Sequence, residues 1–317
     1  MDAVLGPPYT ARTLQLTPDE EGEVVATLVS RSASEPTGRA VLYVHGYVDY
    51  FFHDHVAQFW VDEGYDFYAL DMRKYGRSIR PHQTPNYCTD LAEFDEELDE
   101  AVRIIRDEDG HSVLVVMAHS MGGLVTSLWA DRRGADGRVD ALVLNSPWFG
   151  HNGPWLERTQ LVGRTIETVG KRRERMMLPM RISVHQVHSV HSDYRGEWDF
   201  NLAWKPAEGF PSLAGFGRAI HRGHGQVARG LDVPCPVLVA CSTRSVRSSR
   251  WTDEFMSADL LLNVDDMVKH GANLSRHVTI ARIEGGMHDL ALSRPEARQH
   301  YFAEVRRWCR AYVPTAD

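Results

Sequence analysis

The sequence predicts an α/β fold: a largely parallel β-sheet flanked by helices, with a mainly helical block inserted between two of its strands. Three observations lead there. Short apolar runs alternate with amphipathic stretches of helical spacing, as expected for a sheet buried on both faces. That alternation stops for roughly 80 residues, from Trp148 to Arg229, and then resumes. One apolar run ends on a small-residue turn that opens directly into a helix. The chain has 317 residues, enough for one large domain or a core carrying a sizeable insertion.

In chain order, two β-like stretches come first, Arg12 to Leu16 and Glu23 to Val29, joined by an acidic turn around Pro18 to Gly22. Ala40-Val41-Leu42-Tyr43-Val44 is an apolar run that stops at His45-Gly46, which reads as a buried strand. Asp54 to Glu63 carries Val56, Phe59 and Trp60 at helical spacing, and Tyr65 to Leu70 is the next strand, closing on Asp71. Asp90 to Glu108 is an amphipathic helix with Leu91, Phe94, Leu98, Val102 and Ile105 on one face. Its many acids read as a solvated face. Val113 to Ala118 is a buried strand, Leu124 to Arg132 a helix, and Val139 to Leu144 a further strand. After the interruption, Pro236 to Cys241 resumes the pattern, followed by a helix from Asp265 to Leu274, a strand from His277 to Ile283 and a last helix from Arg294 to Tyr312. The expected division is therefore a core of residues 1–147 and 230–317 around an insertion of residues 148–229.

Composition narrows the function classes. A net charge of -8 argues against a general nucleic-acid binder, which needs a basic face. No apolar run approaches the roughly 18 residues that span a bilayer. The N-terminus lacks the basic and apolar segments of a secretory signal. The four cysteines (Cys88, Cys235, Cys241 and Cys309) form no CxxC pair and suggest reduced thiols. Together these features predict a cytoplasmic protein that needs no cofactor.

The residues that carry chemistry begin at Ala118-His119-Ser120-Met121-Gly122. This is the G-x-S-x-G pattern between a strand and a helix, with Ala118 in place of the first glycine. Such a turn presents a serine hydroxyl above the sheet edge and needs small neighbours because the flanking backbones approach closely. A hydroxyl becomes a useful nucleophile only when a base accepts its proton. His288 fits that need among 16 histidines because it follows the last strand, after the flexible Gly285-Gly286. An imidazole also needs a carboxylate to hold its tautomer. The usual place lies just after the strand ending at Cys241, but Ser242 to Val246 holds no acid. The candidates are Asp253, Glu254, Asp259, Asp265 and Asp266, with Asp259 standing before the helix that precedes the last strand. Two backbone N–H groups should face the charge developing on a substrate oxygen. Met121, at the helix N-terminus, and Tyr47, on the turn after Val44, are placed to supply them. His45 reads as a brace for that turn.

Tyr43-Val44-His45-Gly46, Asp71-Met72-Arg73-Lys74-Tyr75-Gly76-Arg77-Ser78, His119-Ser120-Met121-Gly122-Gly123 and Gly286-Met287-His288 resemble the monoacylglycerol lipase and lysophospholipase branch of the α/β hydrolases, often grouped with serine aminopeptidases. The resemblance covers the core at both ends. It implies an α/β-hydrolase fold with a mostly parallel eight-stranded sheet, a mainly helical cap over the site at residues 148–229, and a catalytic acid opening a D-x-L/V tripeptide about 30 residues before the histidine. Asp259 meets both conditions, so the residues between Cys241 and Asp259 become a local insertion. Lys74 stands where the D-x-R-G-x-G-x-S block has its first glycine. Trp148, Phe149, Trp155, Trp198, Phe200 and Trp204 would suit a cap lining an acyl pocket.

The expectation is a serine esterase or lipase acting on small acyl esters. Dehalogenases and epoxide hydrolases of the superfamily use an aspartate where this chain has Ser120. An aminopeptidase or amidase would need an acidic pocket, for which Glu197 or Asp199 is the candidate. A non-catalytic binding protein is the alternative from another class. His185, His188 and His191 stand three apart, but no acid or cysteine completes a metal set with them.

Overall fold

The computed structural model describes residues 1–35, 37–150, 160–179 and 182–316. Eight strands form one sheet: β1 (Thr10–Asp19), β2 (Gly22–Arg31), β3 (Arg39–Val44), β4 (Asp66–Asp71), β5 (Val113–His119), β6 (Ala141–Asn145), β7 (Val237–Ser242) and β8 (Val278–Ile283). Their order is β1-β2-β4-β3-β5-β6-β7-β8. Only β2 runs against the others, pairing antiparallel with both β1 and β4. The first two strands are longer than the expected stretches and close as a hairpin, Asp19 opposite Gly22.

The central strands β3 and β5 to β7 are buried almost throughout, which is why their sequences are continuously apolar rather than alternating. One face packs on α1 (Asp54–Asp62) and α8 (Pro295–Tyr312) through Val56, Trp60, Tyr301, Val305 and Trp308. The other face packs on α2 (Asp95–Arg103), α3 (Met121–Arg133), α6 (Ala214–Arg229) and α7 (Val264–Gly271). Between β6 and β7 the chain also forms α4 (Gln160–Arg172) and α5 (Val184–Val190). No strand joins the sheet among the described residues of this block. Its α6 shares the main core with α3, whereas α5 and the turns after it form a smaller cluster of Val187, Val190, Phe200 and Ala207 against Tyr50 and Phe52.

The stretch expected as one helix from Asp90 to Glu108 is helical but changes pitch twice. A 3-10 turn at Leu91–Phe94 begins on an Asp90–Glu93 capping box, and a π turn at Ile104–Glu108 ends it. Its acids are not all solvated. Glu97 is fully buried and binds the Arg73 guanidinium at 2.7 Å, and buried Asp95 holds Arg132. The correction follows from the block after β4, which inserts Arg73 under the helix and needs a carboxylate there.

That block is a structural brace. Asp71 accepts the N–H groups of Phe51 at 2.8 Å and Arg77 at 3.0 Å, and Ser78 Oγ donates to the Asp71 carbonyl at 2.8 Å. Lys74 has φ +64°, the left-handed conformation in which glycine is the usual residue. Its ammonium is buried between Asp19 at 2.5 Å and Glu21 at 2.8 Å, a contact no glycine could make.

Candidate active site

Ser120 sits where β5 turns into α3, with φ +52° and ψ −114°, a strained conformation for a side-chain-bearing residue. The strain is held by hydrogen bonds on both sides. Ser120 N–H donates to the Asn145 carbonyl at 3.0 Å, and its carbonyl accepts from Gly123 at 3.0 Å and Trp148 at 2.9 Å. The glycines after it are required by contact: a Cβ on Gly122 would lie 2.4 Å from the His45 carbonyl oxygen, and one on Gly123 would lie 2.8 Å from Pro147 Cβ.

His288 follows β8 through Gly285, which turns at φ +70°. The loop is pinned by Met287 N–H, which donates to Ser293 Oγ at 2.9 Å. The His288 ring lies between two partners. Nε2 is 3.0 Å from Ser120 Oγ, and Nδ1 is 2.8 Å from Asp259 Oδ2. All three side chains are buried. The other carboxylate oxygen of Asp259 accepts the N–H groups of Leu261 and Leu262, both at 2.8 Å, so the acid is oriented from two sides. This pattern selects the tautomer with the proton on Nδ1 and leaves Nε2 free to accept from the serine hydroxyl.

The other acids considered for that place are occupied elsewhere. Asp253 accepts from the Trp251 indole, Glu254 pairs with Arg244 at 2.6 Å, Asp265 pairs with Arg282 at 3.1 Å, and Asp266 lies beside Gly150. Asp259 reaches His288 because the inserted loop is closed at its base. Asp259 N–H donates to the Arg244 carbonyl at 3.1 Å and Val246 N–H to the Asp259 carbonyl at 2.8 Å. The chain thus returns to the end of β7 after its excursion.

Tyr47 lies on the turn after β3, its ring stacked on Phe216 at 4.6 Å and its hydroxyl 3.0 Å from Ser212 Oγ. Gly46 lets this turn approach the elbow, since a Cβ there would be 3.1 Å from Ser120 Cβ. His45 braces the turn from below. Nδ1–H donates to the Gly46 carbonyl at 2.8 Å and Nε2 accepts from Met72 N–H at 3.1 Å. Burial lowers the His45 pKa against the pull of Asp71 and Asp49, which keeps the ring in that neutral form. Met121 begins α3, so its N–H points out of the helix end.

Ser120, His288 and Tyr47 border a cavity of about 410 Å³, within the range of small-molecule sites. Its apolar wall comes from Trp148, Val187, Phe216, Phe255 and the run Leu260 to Leu262. Of the aromatics singled out in the inserted block, Trp148 lines the cavity, Phe149 and Phe200 are buried in packing clusters, and Trp198 and Trp204 rest against the smaller one. Trp155 lies outside the described residues. Phe216, Val187 and Gln186 were missed because nothing in a helical sequence marks which face looks into a cavity.

Sequence reasoning also missed a buried charged cluster behind the elbow. Lys205 Nζ binds Asp49 Oδ1 at 2.6 Å, Asp289 Oδ2 meets His53 Nε2 at 3.2 Å, and Asn145 Nδ2 donates to Asp289 Oδ1 at 2.8 Å. His119 lies between the two carboxylates. The only cue was the polar character of residues flanking His45, Ser120 and His288. Glu197 and Asp199 do not line the cavity: Glu197 pairs with Arg298 at 2.6 Å, and the Asp199 side chain is 95% exposed. His185 stacks on Phe255, His188 on Tyr194, and His191 meets the Phe200 carbonyl, so the three do not converge. No group of three metal-binding side chains occurs among the described residues.

Residues 35–195, just over half of the chain, match the family described as "Serine aminopeptidase, S33". The monoacylglycerol lipase of Mycolicibacterium smegmatis is 36% identical over 118 residues, which cover 36% of this chain and 39% of that protein. The chain thus aligns with well under half of that curated relative. Among solved structures, a soluble variant of monoglyceride lipase from Saccharomyces cerevisiae, in complex with a substrate analog, superposes with a TM-score of 0.72 at 14% identity, covering 98% of both chains. The monoacylglycerol lipase of Paleococcus ferrophilus gives 0.64 at 15% identity, over 90% of this chain and 99% of its own. Those likenesses show the fold, an eight-stranded α/β-hydrolase sheet with its helices. By the match over half its length, the chain belongs to the serine aminopeptidase S33 family of α/β hydrolases.

Proposed function

We propose that this protein hydrolyses carboxylic acyl esters through an acyl-enzyme, as a serine esterase or lipase of monoacylglycerol lipase type. One observation carries the reading: Ser120 Oγ, His288 and Asp259 stand in line at 3.0 and 2.8 Å at the edge of a largely apolar cavity. In the first half-reaction Ser120 Oγ attacks the ester carbonyl while His288 Nε2 takes its proton. Asp259 stabilises the resulting imidazolium. The N–H groups of Tyr47 and Met121 receive the oxyanion. The tetrahedral adduct collapses, the C–O bond to the alcohol breaks, and the imidazolium returns its proton to the departing alkoxide. Water then repeats the sequence on the acyl-enzyme, with His288 again as base, and releases the carboxylic acid and free Ser120.

The block of residues 148–229 acts in this reading as a cap, with Trp148, Val187 and Phe216 shaping the acyl pocket. No helix among the described residues is long and apolar enough to cross a membrane, and all four cysteines are buried thiols. A cytoplasmic enzyme is consistent with those thiols.

An aminopeptidase is the second reading, because the family's description names that activity. It is less favoured here. A substrate amine would need an acid in the cavity, and the carboxylate that lines it, Asp49, is already bound by Lys205. A panel of p-nitrophenyl acyl esters against aminoacyl p-nitroanilides decides between them. Turnover of the esters, at least about a hundredfold faster in kcat/KM than of any anilide, is expected. Preference for the anilides would overturn the ester reading.

A further inference from the structure

The charged cluster behind the β5–α3 turn is not used by the reaction as written, yet it touches the loops that carry Tyr47, Ser120 and His288. Asp49 is two residues beyond Tyr47, His119 immediately precedes Ser120, and Asp289 immediately follows His288. Lys205 reaches in from the inserted block and lies over the rings of Phe52 and Phe200. Asn145 joins the cluster to the elbow, because its carbonyl accepts from Ser120 N–H while its amide holds Asp289. None of these side chains is more than marginally exposed.

Charge counting points to His119. Two buried carboxylates, Asp49 and Asp289, face one lysine, and a buried charge left without a counter-charge is strongly penalised. Among the described residues His119 is the imidazole within reach of both: its Nδ1 is 3.5 Å from Asp49 Oδ2 and 3.9 Å from Asp289 Oδ2. His53 pairs directly with Asp289 at 3.2 Å and acts on Asp49 only through space. His119 makes no close hydrogen bond, and neither does Asp49 Oδ2. The two are therefore held by charge rather than by a directional bond. The groups facing His119 are Asp49 from the β3 turn, His53 ahead of α1, Asp289 and His288 from the loop after β8, and Lys205 from the inserted block. The His288 ring centroid is 5.0 Å away.

We propose that His119 is a positioning residue that, as an imidazolium, neutralises this cluster and holds the Tyr47 turn and the His288 loop against the nucleophile elbow. The groups around it support that state. Burial alone would discharge His119, but Asp289 and Asp49 outweigh it and raise its pKa above the ordinary value. Burial likewise opposes ionisation of Asp289, and His119 and His53 overcome it, holding the carboxyl well below its usual range. When His119 loses its proton, Asp49 and Asp289 lose the counter-charge they share and are left to Lys205 and His53. The turn bearing the Tyr47 N–H is then repelled from the loop bearing His288, and an uncompensated negative charge faces the developing oxyanion.

The sign of the pH dependence follows. His119 must be charged, which makes activity fall on the alkaline side as pH rises through its raised pKa. This profile rests on the ester-hydrolase reading, but the charge state itself does not.

Two measurements on the full chain separate the cases. Histidine Cε1–H NMR, with the His119 signal assigned by its loss in His119→Gln, should show an imidazolium that persists to higher pH than an ordinary histidine. A ring that loses its proton at or below the ordinary histidine value overturns the proposal whatever the enzyme hydrolyses. Hydrolysis of a neutral short-chain ester from about neutral pH to about pH 10 should show kcat falling on the alkaline side for the wild type. His119→Gln should lose the alkaline limb and about tenfold in kcat at neutral pH, with KM within about twofold. A folded His119→Gln that keeps the wild-type alkaline limb contradicts the proposal. Asp49→Asn removes one of the two carboxylates that call for the imidazolium, and should flatten that limb or move it to lower pH. An unmoved limb also contradicts it, so Asp49→Asn decides the matter if His119→Gln does not fold. Failure to hydrolyse esters or to react with a fluorophosphonate, alongside a protonated His119, would instead remove the functional reading and leave the charge state standing.

Discussion

Two loops at the same edge of the sheet meet at His288 and reach it by different routes. The β5–α3 turn is minimal. Ser120 is fixed by a positive φ, by hydrogen bonds on both its N–H and its carbonyl, and by two glycines that no larger residue could replace. The β7–α7 loop runs outward and back, and delivers Asp259 only because Arg244 and Val246 pair with it at the loop's base. A tight turn is specified by its own few residues. A long loop is specified by the contacts that close it, and the residues of its excursion can vary.

The largest expected effect lies in the turn. Ser120→Ala should reduce ester turnover by roughly a millionfold while leaving the thermal unfolding curve unchanged, because a small hydroxyl is removed and no packing is lost. Residual turnover within tenfold of wild type would break the comparison at its firmest point. At the loop's end, Asp259→Asn should lower kcat by about 10⁴, since the amide favours the wrong imidazole tautomer. Asp265→Asn, which touches only Arg282 on the surface, should stay within about twofold. Equal losses from the two would show that closing the loop at Arg244 and Val246 does not select the acid.

Gly122→Ala probes the crowding of the turn. Its Cβ would press on the carbonyl oxygens of His45 and Val44 at 2.4 and 2.5 Å, and both are backbone atoms that cannot rotate away. A loss of about 2–3 kcal/mol in unfolding free energy is expected, with a fall in kcat as the Tyr47 turn is displaced. The smallest effect should come from the excursion. Replacing the exposed residues 248–250 by a short Gly-Ser link keeps the Arg244 and Val246 pairing and buried Phe255, and should change stability by less than about 1 kcal/mol. kcat should stay within about threefold, while KM rises because Ser248 leaves the cavity wall. A collapse of kcat in that variant would mean that the excursion itself positions Asp259.

The same contrast explains what could be read from the sequence. The strand rhythm, the elbow's shape and the glycine loop before His288 depend on neighbours within a few residues, and they were legible. The nearness of Asp259 to His288 depends on a bridge between Ser245 and Asp259 across the whole excursion, and only the family-like tripeptide and spacing pointed to it. Two readings failed for a related reason. The acids of α2 looked solvated because Arg73, which buries Glu97, lies 24 residues earlier. The cluster of Asp49, His119, Lys205 and Asp289 joins four separate segments, and no local pattern marks residues that meet only after folding.

In the proposed reaction Ser120 Oγ is the atom that carries the acyl group. The most direct test is to mix the protein with a slowly deacylating p-nitrophenyl ester, quench in acid, and locate the added mass by peptide mapping. One acyl group per chain on the peptide containing Ser120, matched by a stoichiometric burst of p-nitrophenol, is the predicted result. Turnover with no burst and no adduct, or an adduct on any other side chain, would contradict it.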